Sequence, residues 1–89
     1  MSLPSLRKRI DRLDRQLLRL LNRRAALVVR VGRIKRQRHM PVVDRRREAA
    51  VLRQVGWANH GPFSAASIRK IFAEVLRHSR RLEAKPDPR

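Results

Sequence analysis

Apolar residues in the first third of the chain step by four and three, through Leu6, Ile10, Leu13, Leu17 and Leu20, then Leu27, Val31 and Ile34. That spacing gathers them on one face of an α-helix. A single position breaks the series: Arg24 stands between Leu20 and Leu27 and therefore points with the apolar seam. A helix from Leu6 to Ile34 is a rod of roughly 43 Å at about 1.5 Å per residue. A compact globule of this size has a radius of gyration of only about 12 Å. A monomer cannot cover such a rod, so the helix is expected to need a partner chain.

Gly32 reads as tolerated inside this helix, and Met40-Pro41 as its stop, because proline lacks an amide donor and disfavours a helical residue before it. Asp44 can cap a second helix. That helix is expected to run to about Asn59, with Ala50, Val51, Leu52 and Val55 as its apolar positions. Asn59-His60-Gly61-Pro62 reads as a stop and turn. Ser64 can cap a third helix in which Ile68, Ile71, Phe72, Val75, Leu76 and Leu82 recur at helical spacing. The tail, residues 85–89, is expected to fray. With no strand pattern, the fold class is all-α, three helices in a single domain spanning residues 1–89.

Length and composition narrow the chemistry. At 89 residues one small domain is all that fits. The absence of cysteine removes disulfides, thiolate nucleophiles and Cys-type zinc sites. No stretch approaches the roughly 20 apolar residues of a membrane span, and the N-terminus has no leader pattern, so a cytoplasmic protein without membrane contact is expected. The net charge of +17 raises nucleic acid as a partner. Yet the arginines form no dense block, and one Trp and two Phe offer little for stacking bases.

Several polar residues sit where they cost something. A charge in an apolar seam needs an anionic partner, and seven acids are too few for 24 bases, so Arg24 asks for an external anion. Lys35 lies close to three turns further on, about 16 Å along nearly the same face. The plainer alternative is a snorkelling Arg24 and a surface Lys35. Asp44, Arg47 and Glu48 share the first turn of the second helix, where free backbone N–H groups favour anions; a cap and a surface ion pair would also account for them. Ser79 and Glu83, four apart, lie near the apolar boundary of the third helix. His39, His60 and His78 show no ligand spacing, so they read as surface residues and no metal is expected. The set is rich in cations and donors and lacks a nucleophile or a His-based acid–base pair. It suits a dianionic small molecule whose reaction needs restraint and charge stabilisation.

On these residues the chain resembles the all-helical, AroQ-type chorismate mutase family. The blocks that carry the likeness are Leu6-Arg7-x-x-Ile10-Asp11-x-Leu13-Asp14, Leu17-Leu18-x-Leu20-Leu21-x-x-Arg24, Val31-Gly32-x-x-Lys35, Pro41-Val42-x-Asp44-x-x-Arg47-Glu48, and Ile71-Phe72 followed by Ser79. The resemblance implies an intertwined homodimer with two sites, each built from both protomers, that rearranges chorismate to prephenate without a cofactor. It implies that Arg24, with Arg7 of the other chain, binds substrate carboxylates, and that Arg47 adds positive charge. Lys35 would donate to the ether oxygen, Asp44 and Glu48 would hold the ring hydroxyl, and Ser79 a carboxylate. Lys35, Glu83 and Arg24 would be catalytic. Where many bacterial members carry glutamine as second donor to the ether oxygen, this chain has Glu83, as fungal relatives do. An ordinary glutamic acid is ionised at neutral pH, so such a donor ties activity to acidity. Isochorismate and 4-amino-4-deoxychorismate remain open as substrates, and a basic helical nucleic-acid-binding dimer remains open as another class.

Overall fold

The computed structural model describes residues 2–85. It contains three helices, α1 (Leu3–Gln37), α2 (Arg45–Ala58) and α3 (Ala65–Ala84), and among the described residues no strand. The all-α expectation and the count of three helices hold. α3 packs against both α1 and α2, whose backbones do not approach each other. The molecule measures 54 × 32 × 14 Å with a radius of gyration of 16.2 Å. Within its own chain α1 has one neighbouring helix, α3. One neighbour cannot cover both faces of α1.

Each helix starts where a side chain satisfies a free amide. Ser2 accepts from Ser5 N at 3.2 Å ahead of Pro4 in the first turn of α1. Asp44 Oδ1 accepts from Arg47 N at 3.0 Å, and Ser64 Oγ from Ser67 N at 3.0 Å. α2 ends at Ala58, with Asn59 as its cap, as the sequence predicts. The end of α1 differs. The helix stops at Gln37, before Met40-Pro41, because His39 turns into the left-handed region at φ 53°. Met40 N then bonds Lys35 O at 2.8 Å and His39 N bonds Arg36 O at 3.2 Å, the paired closure that glycine usually provides. α3 is capped by Lys85; the rest of the tail expected to fray, residues 86–89, lies outside the described residues.

The packing also revises the reading of Gly32. This buried glycine faces the end of α3, and a Cβ added there would lie 2.8 Å from Glu83 O and 2.9 Å from Glu83 Cα. The backbone of α3 occupies the space a side chain would need. Gly32 is therefore required for the approach of the two helices. Where α1 and α3 pack, Ala25, Val28 and Val29 of α1 and Val75 and Leu82 of α3 are half-buried, and Leu76 of α3, 7% exposed, is the most deeply buried apolar side chain described. The seam runs along a neighbouring face of α1. Leu6, Ile10, Leu13, Leu17, Leu20, Leu27, Val31 and Ile34 all remain 38 to 61% exposed.

Candidate active site

A pocket of about 250 Å³ opens where the C-terminal half of α1, the start of α2 and the end of α3 meet. Its walls carry Arg24, Lys35, Asp44, Arg47, Glu48, Ser79 and Glu83, set among Val28, Val31, Val42, Val51 and Leu76. Seven of the eight site residues expected from the sequence thus share one cavity. The eighth, Arg7, is exposed near the other end of α1, about 25 Å from Arg24 along the helix axis.

On α1, Arg24 and Lys35 edge the face packed on α3. Arg24 Nη1 donates to Ser79 Oγ at 2.9 Å, and Ser79 Oγ donates to Val75 O at 2.7 Å. The partner of Arg24 is thus a neutral hydroxyl, which leaves its positive charge available to an anion. Lys35 Nζ donates to Val42 O at 2.9 Å and lies 2.6 Å from Glu83 Oε1. Both side chains are well buried, 14% and 12% exposed. The contact is an ion pair without hydrogen-bond alignment, and Glu83 Oε1 is buried with no hydrogen-bond partner. An ammonium has three donors, so Lys35 retains capacity toward the cavity.

The surroundings hold Glu83 from behind. Arg36 Nη1 donates to Glu83 O at 2.9 Å and to Lys85 O at 3.1 Å, closing carbonyls that the end of α3 leaves free. On α2, Glu48 Oε1 is paired with Arg80 Nη1 of α3. Asp44 serves as the cap and also lines the cavity, so the two readings of that residue coexist. Gly32, Arg36, Arg80 and the carbonyl of Val42 are the supports of the cavity residues that local sequence signals do not reveal. Arg36 and Arg80 carry no local signal in a chain with 24 basic residues, and the role of Gly32 depends on a contact across 51 positions of sequence.

The cavity lining balances three cations, Arg24, Lys35 and Arg47, against three carboxylates, Asp44, Glu48 and Glu83. The histidines lie elsewhere. His78 is 3.8 Å from Glu74, whose carboxyl is held below its ordinary range chiefly by the hydrogen bond from Arg77, on an exposed face of α3. Among the described residues no three His, Asp or Glu side chains are grouped to hold a metal. No described helix is long and apolar enough to cross a membrane.

The sequence pattern that places these side chains matches the chorismate mutase type II family over residues 6–84. The chain belongs to that family. Chorismate mutases of this family are isomerases that convert chorismate to prephenate. A chorismate mutase from Thermus thermophilus superposes with a TM-score of 0.93 at 38% identity, covering 97% of this chain and 98% of that one. A bifunctional chorismate mutase/prephenate dehydratase from Aquifex aeolicus is 36% identical over 87 residues, which is 93% of this chain and 24% of the relative. The T-protein of Haemophilus influenzae is 42% identical over 79 residues, 88% of this chain and 21% of the relative. The chain thus spans about a quarter or less of the length of these two relatives.

Proposed function

We propose that this chorismate mutase domain rearranges chorismate to prephenate in the cytoplasm, within aromatic amino acid biosynthesis, as a homodimer whose two sites each draw on both chains. The observation that carries the reading is the convergence of Arg24, Lys35, Asp44, Arg47, Glu48, Ser79 and Glu83 on one cavity. The reaction is unimolecular: the ether C–O bond breaks as a C–C bond forms, with no proton or electron exchanged with a co-reactant. Such a step gains from holding the reactive conformer and from donors aimed at the oxygen where charge grows. Lys35, fixed by Val42 and Glu83, supplies one donor to that oxygen, and Glu83 stands beside it in the place of the second. Arg24 and Ser79 take a carboxylate, and Arg47 adds charge. Glu48 and Asp44 hold the ring hydroxyl, whose single O–H donates to one of the two carboxylates.

Charge supports the second chain. The lining sums to zero, whereas the substrate is a dianion; Arg80 behind Glu48 adds one positive charge, and Arg7 from a second copy would add another. Packing supports it too. The exposed seam of α1 runs from Leu6 to Ile34, broken only at Arg24, and beside it a hollow of about 420 Å³ is lined by Leu21, Ala25, Ile71, Val75 and Leu82 with Asn22, Glu74, His78 and Ser79. The direct test mixes purified protein with chorismate and follows loss of its absorbance, with isochorismate and 4-amino-4-deoxychorismate in parallel. Turnover of chorismate above the other two is expected, and a preference for either of those would reassign the substrate.

A further inference from the structure

The ion pair between Arg80 and Glu48 has a consequence for substrate choice. Glu48 lines the cavity from α2, with its side chain 23% exposed, while Arg80 reaches it from α3 and stands outside the lining, 33% exposed. Arg80 engages Oε1, and among the described residues no hydrogen bond is made to Oε2. A carboxylate in that state still accepts a hydrogen bond through its other oxygen, but its charge is already offset by a guanidinium. We propose that Arg80 is a specificity-determining residue that acts through Glu48: by neutralising the carboxylate it favours a ring hydroxyl and disfavours the ring ammonium of the 4-amino analogue. This assignment rests on the chorismate mutase reading above.

The physical ground is that specificity is a difference between two free energies. A neutral hydroxyl needs an acceptor, and Glu48 offers one whether or not Arg80 is present. An ammonium needs an uncompensated negative charge, because it must shed strongly bound water to enter a partly buried cavity. With Arg80 in place, the ammonium meets a Glu48 already paired, in a wall that holds Arg47 and Lys35 and in which Asp44 is engaged as the cap of α2; Glu48 is then the carboxylate whose charge Arg80 controls. Without Arg80, Glu48 becomes a free anion suited to a cation. The same bidirectional logic gives Glu48→Gln the opposite effect, since Arg80 is then the unpaired charge and repels an ammonium.

The experiment measures kcat/KM for chorismate and for 4-amino-4-deoxychorismate in the wild type, Arg80→Gln, Arg80→Lys and Glu48→Gln. Arg80→Gln is expected to shift the ratio toward the amino substrate by about tenfold or more, and Arg80→Lys to restore most of the wild-type ratio. Glu48→Gln is expected to shift the ratio the other way, which keeps the test in force if Arg80→Gln fails to fold. Equal losses on both substrates in Arg80→Gln, or an unmoved ratio in Glu48→Gln, would overturn the assignment. Those results would leave the mutase reading intact provided the wild type turns over chorismate. A wild type inactive on both substrates would overturn that reading, and the Arg80 assignment with it.

Discussion

The two halves of α1 share one helix and one apolar rhythm, yet they have opposite surroundings. From Arg24 to Arg36 the helix lies against α3, and its polar side chains reach Ser79, Glu83 and Val42 across a half-buried boundary. From Leu6 to Leu20 the same periodicity leaves every apolar side chain exposed, because α2 and α3 together extend only far enough to cover one end. The difference lies in where the chain returns, since helix propensity and spacing are alike in both halves. One half builds a cavity with its own chain. The other half presents a surface that only another molecule can bury, and burial of such a surface is the dominant favourable term in association.

The strongest way to break this comparison is to charge the uncovered half. Leu13→Asp with Leu17→Asp places two carboxylates in the seam far from the cavity, and is expected to yield monomers by sedimentation and to remove most activity. A folded, active dimer from this variant would show that the seam is not the interface. Next comes the covered half. Removing a preorganised donor to developing oxygen charge costs about 2.7–4 kcal/mol, so Lys35→Ala is expected to lower kcat by roughly 10²–10³ with unchanged helical circular dichroism. A smaller structural effect belongs to Gly32→Ala, whose added methyl meets the Glu83 backbone at 2.8 Å. Overpacking of this kind costs about 1–3 kcal/mol, to be read as a lower denaturation midpoint together with a loss of activity, since Glu83 moves with α3.

The subtlest expectation concerns Glu83 itself. Its buried Oε1 faces Lys35 without a hydrogen bond, whereas Glu83→Gln carries a permanent amide donor at the same place, so it is expected to raise kcat/KM at neutral pH. A Glu83→Gln protein no faster than the wild type would assign Glu83 to holding Lys35 alone.

What could be read in advance followed physical logic. Arg24 was legible because it interrupts a seam, and Asp44 and Ser64 because a capping side chain precedes an apolar rhythm. Local signals of that kind survive in a single sequence. The end of α1 was misplaced because a histidine, His39, takes the left-handed position usually given to glycine. Gly32 read as merely tolerated because the atoms that require it belong to Glu83, on another helix. Arg80 was invisible because nothing local distinguishes it from the other arginines until α3 is laid beside Glu48.

The central claim is that each cavity is completed by the far end of another copy of the same helix. Arg7→Ala and Arg24→Ala proteins, each inactive or nearly so alone, test it when mixed, dissociated and reassembled. A mixed dimer would unite the intact Arg24 of one chain with the intact Arg7 of the other at one site and lose both at the second. With random pairing, about half the dimers are mixed and each has one working site, so activity is expected to recover to about a quarter of the wild-type value. Recovery to that level would place Arg7 in the partner's cavity; a mixture whose mixed dimers form but whose activity stays at the average of the two variants would contradict the shared site.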